Sequence, residues 1–538
     1  MKLFYLLAFF VVLAYSSLLA QTTTNPPRII RSVPAFGDCN VDPNLKEIEL
    51  EFDQDMQGGY SFMEDPDMVT SSSKPVWKTK RILTYPITLG PNKFYRVPMN
   101  NDTYNNFRNE AGTPMDATYL AFRTKTTIHP SVIDTVLNRT NFEKFCAHFL
   151  ANYSYKDLHG IPWKRLLDSI KPTIIKSEFE NEFALRLLQV LKKANDPHLS
   201  ITVNGKYFTC ADLRITPLVY NYDAIFNELT EVQVSPFYAV ISGRVGEAGY
   251  VLVQTLESRY KEDINYGVGL LREMKDLPYI ILDLRLNTGG DESLAKIFVS
   301  SLLTNAITYE KVMTIDPATG VCNVEGLKTL NPSSTSIRYK GKIFVLTSNR
   351  VISSAESMVL MLKQMPNVRV VGSKTYGSSG NPISYKATNA VTVNIPSWQA
   401  FDIKGQLIEG HGIEPDVKLE FAQEKFYAED PIFEYVKNNI LTGIVTPLEI
   451  GNVDFKVFPN PVKEVAHLRF LNSVNKKTTV QILDMNGKIL IGQPATYWSS
   501  VDNSLALNLK SYQLKPGIYF IKLTVDGKST VQKLVYQP

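Results

Sequence analysis

Several familiar markers of function are scarce in this chain. It holds four cysteines in 538 residues, Cys39, Cys146, Cys210 and Cys322. They lie far apart and form no Cys-x-x-Cys pair, so the sequence proposes neither a zinc site nor a dense disulfide framework. An oxidising exterior would permit one or two bridges, whose pairing spacing cannot assign. The formal net charge is only +4, which gives no electrostatic reason to expect nucleic acid or an anionic membrane as a partner. Beyond the first twenty residues no run reaches the ~18 apolar residues that a membrane span requires. No motif for a metal or organic cofactor is present.

The sequence is otherwise that of an ordinary globular chain. Hydrophobic residues make up 44% and charged residues 20%, and the length exceeds what one core can hold, so several domains are expected. At the start, Lys2 precedes the almost continuous apolar run Leu3 to Ala14, and Ser16, Ser17 and Ala20 supply small residues before Gln21. That is the three-part form of a secretory signal peptide over 1–20, with a retained anchor as the alternative.

Hydropathy patterning divides the remainder. In 26–125, Ile48, Leu50 and Phe52 alternate with Glu49 and Glu51, the period of a half-buried strand. The phrases RSVPAFG, EFDQDM and AGTPMDATYLAFRT in this region resemble bacterial immunoglobulin-like modules. From 126 to 235 the period lengthens: Phe142, Phe145 and Phe149, then Phe183, Leu187 and Leu191, recur as on helices with one buried face. This helical region carries His198, in NDPH, just before a strand-like HLSITVNG. From 236 to 425 short apolar runs alternate with helical patterns, which predicts an α/β core, a sheet covered by helices. A polar linker is expected over 426–454. Over 455–538 short strands separated by Pro-Asn-Pro, Asn486-Gly487 and Pro-Gly read as a compact β-sandwich, with Asn-Gly as a hairpin turn.

Two segments point to chemistry. In NRVISSAES a buried strand runs into a polar turn, and a helix opens near Ala355. Ser353 and Ser354 therefore sit at a helix N-terminus, where unpaired amides can stabilise an oxyanion, although serine also simply caps helices. In ILDLRLNTGGDES a buried strand ends in a loop where Gly289 and Gly290 permit close approach to a ligand.

These segments, taken in order, resemble the tail-specific (C-terminal-processing) protease family. DLRLNTGG, SSAE followed by VVGSKTYG, and IEGHGIEPDVKLE match its three motifs between about 240 and 420. The resemblance implies that Ser353 is a nucleophile and that the amides of Ser354 and of Gly289 or Gly290 form an oxyanion hole. One branch of the family places a lysine directly after the Thr-x-Gly glycine, but here Ser378 follows Thr375-Tyr376-Gly377. The tricorn-core-like branch uses an upstream histidine and a glutamate near the C-terminal end, which implies His198 as base and Glu409 as its orienting carboxylate. His148, His159, His411 and a displaced Lys374 are the rivals for these roles. Asp283 and Arg285 read as structural, and Glu356 as a support for the helix start.

VFPNPV, LDMNGK and LKPGIYFIKL resemble the sorting domain of the type IX secretion system. Together these resemblances imply an exported, cofactor-independent serine peptidase acting on peptides or proteins, delivered to the exterior or the cell surface by that machinery. A catalytically inactive, secreted peptide- or ligand-binding protein on the same fold is the alternative, motivated by the missing lysine.

Overall fold

The computed structural model describes residues 25–63, 69–70, 73–126, 133–442, 455–470, 477–484, 488–492, 496–497, 504–525 and 528–538. The expected signal peptide and the Asn486-Gly487 turn lie outside them. The chain divides into two compact units, one of residues 1–132 with 212–215 and one of 133–211 with 216–538.

The first unit is built of strands. Glu47–Phe52 is central to a sheet that runs Ile29–Val33, Glu47–Phe52, Ile82–Thr88, Val69–Thr70, and Phe94–Met99 pairs with Thr118–Arg123 in a second. Ile48, Leu50 and Phe52 are fully buried, while Glu49 and Glu51 point outward and pair with Arg31. The alternation legible in the sequence is thus the pleat of this strand. Residues 212–215 belong to this unit too, through a bridge between Ala117 and Leu213, a return that periodicity could not reveal.

The second unit centres on a seven-stranded sheet. Its order is Thr230–Val234, Val240–Val245, Ala248–Val253, Tyr279–Asp283, Lys342–Thr347, Val368–Gly372, Val417–Lys418. The first three strands are antiparallel neighbours, and from Ala248–Val253 onward the pairing is parallel. The parallel strands are buried on both faces, as continuous apolar runs require. Ile280, Leu282 and Val345 face one cluster with helices Lys261–Glu273, Glu292–Ser300 and Ser354–Lys363. Ile281, Phe344 and Leu346 face the other, with helix Pro431–Thr442.

That last helix corrects the expected linker over 426–454. Ile432, Phe433, Val436 and Ile440 recur at helical spacing and are buried against the sheet, so the core extends at least to 442. The helical region over 126–235 needs a second correction. Helices Thr135–Asn152, Trp163–Ile174 and Glu180–Leu191 are present. However, Asp196–Val203 and Lys206–Cys210 then form strands of a four-stranded sheet with Pro382–Lys386 and Val391–Pro396. Leu199, Ile201 and Val203 bury one face of that pairing, and it carries His198 from a distant part of the sequence to residues near 380.

Near the C-terminus, strands 455–536 form a three-stranded and a five-stranded sheet that share one apolar cluster, including Leu468, Leu507, Ile521 and Leu523. All four cysteines are free thiols.

Candidate active site

Ser353 stands where strand Lys342–Thr347 gives way to helix Ser354–Lys363. Its φ of 61° is unfavourable for a residue with a Cβ, costing on the order of 1–3 kcal/mol, so surrounding contacts must hold it. Those contacts are on hand. The Ser353 amide donates both to the Ser378 carbonyl at 3.1 Å and to Glu356 Oε2 at 3.2 Å. Gly289 packs directly beside it: a Cβ there would lie 2.6 Å from the Ile352 carbonyl oxygen and 2.9 Å from Ser353 Cβ. Only glycine fits this close approach, and its φ of +84° adds to the requirement.

His198 lies near the start of strand Asp196–Val203. Its Nε2 is 3.0 Å from Ser353 Oγ, and its Nδ1 is 2.8 Å from Ser378 Oγ. The strand turn is fixed by buried Asp196, whose Oδ1 accepts the His198 amide at 2.8 Å and whose Oδ2 accepts the Tyr153 hydroxyl at 3.0 Å. Burial pushes the imidazole from its ordinary 6.5 down to about 4, so at neutral pH the ring is uncharged and has a lone pair to offer.

Glu409 is buried, and its Oε2 accepts the Ser379 amide at 2.8 Å. The Ser378 side chain favours the charged form of this carboxyl. The expected direct contact between Glu409 and the imidazole is not made: Nδ1 is met by Ser378, while Glu409 holds the backbone of the next residue, Ser379. With the Ser353 hydroxyl donating to Nε2, Nδ1–H donates to Ser378 Oγ; this pairing assigns the tautomer. Burial, then the nearby Asp196 charge, hold the Glu409 carboxyl well above the usual carboxylate range. Asp196 is pushed up to about 6, also by burial.

Glu356 does more than support a helix start. Besides the Ser353 amide, it accepts the Thr375 hydroxyl at 2.5 Å and the amides of Gly377 at 2.8 Å and Ser378 at 2.9 Å. One buried carboxyl thus joins the Ser353 turn to the Ser378 turn. Burial pushes it up to about 7 against the pull of these donors.

The two glycines separate on inspection. The Gly289 amide donates to Asn287 Oδ1 at 2.9 Å, whereas among the described residues the amides of Gly290 and Ser354 meet no acceptor. The Ser354 hydroxyl donates to the Gly290 carbonyl at 2.7 Å, tying the two loops together. The rival residues are engaged elsewhere. Lys374 faces Glu414 at 3.7 Å, the His411 ring bonds the Glu409 carbonyl, His148 stacks on Tyr385, and His159 is exposed. Of the residues that sequence reasoning passed over, Ser378 had a visible signal, standing where a lysine was sought. Asp196, two residues before His198, had only its place in NDPH.

Comparison with known proteins agrees with the motifs. Residues 247–419 match peptidase family S41, a segment that holds Ser353, Ser378 and Glu409 but not His198. Residues 456–537 match the secretion system C-terminal sorting domain. The tricorn protease of Thermoplasma acidophilum is 24% identical over 159 residues, which is 29% of this chain and 13% of that protein. The carboxy-terminal processing protease CtpA of Bacillus subtilis is 28% identical over 167 residues, 30% of this chain and 32% of that protein. The chain therefore spans about a third or less of the length of these relatives. A solved structure from Parabacteroides merdae is 21% identical, with a TM-score of 0.48 over 57% of this chain and 99% of that one. The chain carries a peptidase family S41 domain, followed by a secretion system C-terminal sorting domain.

Proposed function

We propose that this protein is an exported serine peptidase that cleaves peptide bonds through an acyl-enzyme on Ser353. The observation that carries the reading is the 3.0 Å contact between His198 Nε2 and Ser353 Oγ, made by an imidazole kept neutral through burial. His198 takes the hydroxyl proton as Oγ attacks the scissile carbonyl. The oxyanion is held by the Gly290 and Ser354 amides, fixed donors that need no reorganisation as charge develops. His198 then returns its proton to the leaving amine, and water, activated by the same ring, resolves the ester. Ser378 holds the imidazole in the productive tautomer by accepting Nδ1–H, and Glu409 supports the 378–379 turn that positions it.

The sorting domain directs the chain to the type IX secretion machinery, and export to the surface or beyond follows from it. The N-terminal strand unit is an immunoglobulin-like module in this reading, and the C-terminal sheets form the sorting domain's β-sandwich.

The test is labelling of the full chain with a fluorophosphonate probe, which reacts with activated serines. Label is expected on wild type and on Ser354→Ala and to be absent from Ser353→Ala. Folded wild type that takes no label would instead favour a non-catalytic peptide-binding role.

The contact between His198 and Ser378 makes its own prediction. Ser378→Ala removes the acceptor of Nδ1–H, while leaving the Ser378 amide and carbonyl bonds in place. kcat/KM is expected to fall by about 10²–10³, less than the ~10⁴ lost when a directly bonded carboxylate is neutralised in a serine triad. Steady-state kinetics on one fluorogenic peptide would check it, and a loss under about threefold would remove Ser378 from the machinery.

A further inference from the structure

Beside Ser353 lies a recess of about 210 Å³ whose charged lining takes no part in the chemistry above. Asp291 and Glu292 stand at the start of helix Glu292–Ser300, Glu310 comes from strand Ile307–Ile315 and Lys328 from strand Cys322–Leu330. Trp398 forms a wall. Lys328 Nζ is 2.9 Å from Glu292 Oε2 and 2.9 Å from Glu310 Oε1, and it sits 4.1 Å from the centroid of the Trp398 ring. Glu310 also accepts the hydroxyl of Ser357 at 2.8 Å, one helical turn beyond the nucleophile.

The lining thus holds three carboxyl groups against one ammonium. Burial pushes Glu310 up, and it is fully buried and held by Lys328 and Ser357. The carboxyl groups an incoming side chain can reach are therefore those of half-buried Asp291 and Glu292. A hydrogen bond from the Ser293 side chain holds Asp291 below its usual range. Burial opposes ionisation of Glu292, but Lys328, the Tyr309 hydroxyl and Lys296 together outweigh it and hold that carboxyl low as well. Lys296 reaches Glu292 at 3.4 Å but is not part of the lining. Lys328 gives two of its three N–H groups to Glu292 and Glu310 and rests on Trp398, so it offers little to an incoming anion. An incoming cation instead meets three carboxyl groups against two ammonium groups, and an aromatic face.

We propose that this recess is the specificity pocket for a residue flanking the cleaved bond, and that it takes a lysine or arginine side chain. The cationic head would lie against Asp291 and Glu292, with its methylene stem along Trp398. An acidic side chain would be repelled and would lose its hydration without a partner. The inference rests on the serine-peptidase reading.

The test uses the full chain and internally quenched peptides that differ only at the residue before or after the cleaved bond, carrying lysine, arginine, norleucine or glutamate. Cleavage sites are read by mass spectrometry and fluorophosphonate labelling is run in parallel. At one flanking position lysine or arginine is expected to exceed norleucine by about tenfold in kcat/KM, with glutamate slowest. Glu292→Gln is expected to cut the lysine-to-norleucine ratio about fivefold; because that ratio is taken within one preparation, loss of folded protein cancels. Label with norleucine equal to lysine at both positions, or label without cleavage of any peptide, would overturn the pocket alone. No label and no cleavage would overturn the peptidase reading and the pocket with it.

Discussion

His198→Gln is expected to lower kcat/KM by about 10⁴–10⁶, as loss of the base does in other serine peptidases, and to abolish fluorophosphonate labelling on the assay timescale. Glutamine retains polarity and approximate size, so folding should survive; the Asp196 bond to the residue 198 amide involves backbone and is untouched. The wild-type pH profile is the sharper part of the expectation. The base works only when neutral, and burial places its titration at about 4, below the ordinary 6.5. The acid limb of kcat/KM should therefore fall well below pH 6.5. A limb near pH 7 that disappears in Glu356→Gln would belong to Glu356, pushed up to about 7 by burial. The same ring contributes to stability with a definite sign. Between about 4 and 6.5 the unfolded chain binds a proton there that the folded one does not, so this contribution is present above that window and is lost as pH falls through it. Urea titrations at pH 7 and 5 on wild type and His198→Gln would separate this term, the variant showing the weaker dependence.

The parts of this site legible in the sequence were those with local signatures. Ser353 stood at a strand-to-helix junction, and Gly289 and Gly290 closed a buried strand, so short-range pattern drew attention to both segments, while the choice of Ser353 over Ser354 came from resemblance. His198 was found through resemblance, because nothing in 126–235 reveals that Asp196–Val203 pairs with Val391–Pro396, almost two hundred residues away. The role of Ser378 was hidden for the same reason: a serine after a glycine is ordinary until the distant imidazole is placed against it. Glu356 looked like a helix-start carboxylate because three of its four donors come from 375–378 and three of the four are backbone amides, which carry no residue code. The helix Pro431–Thr442 was lost to composition. Its flanking Glu and Lys residues masked four apolar positions at helical spacing.

Arg285 carries the second large expected effect, this time on stability. Its side chain is fully buried, with Nη2 2.6 Å from Asp283 Oδ2 and Nη1 2.8 Å from Asp430 Oδ1. Nη1 also donates to the Val219 carbonyl at 2.9 Å, and the guanidinium lies 4.8 Å from the centroid of the Tyr220 ring. Asp430 in turn accepts the amides of Phe433 at 3.0 Å and Asn221 at 3.1 Å, so one cation joins a central strand, the 219–221 segment and helix Pro431–Thr442. Arg285→Met preserves much of the volume but leaves two carboxylates buried without their counter-charge. The expected cost is about 3–5 kcal/mol, because a stranded ion pays desolvation with no compensating attraction. The triple variant Arg285→Met, Asp283→Asn, Asp430→Asn should recover at least half of that loss, since asparagine can still accept the Phe433 amide and no charge remains unpaired. Urea unfolding of the three proteins checks this. If Arg285→Met costs under about 1 kcal/mol, the carboxylates must find other partners and the network is not what holds the helix to the sheet. The effect should also reach the reaction: Arg285 directly precedes 286–290, the loop that places Gly289 against Ser353 and supplies the Gly290 amide. Loss of its anchor should therefore slow fluorophosphonate labelling of the fraction that remains folded, linking a buried ion pair at the end of a strand to the geometry of the oxyanion site.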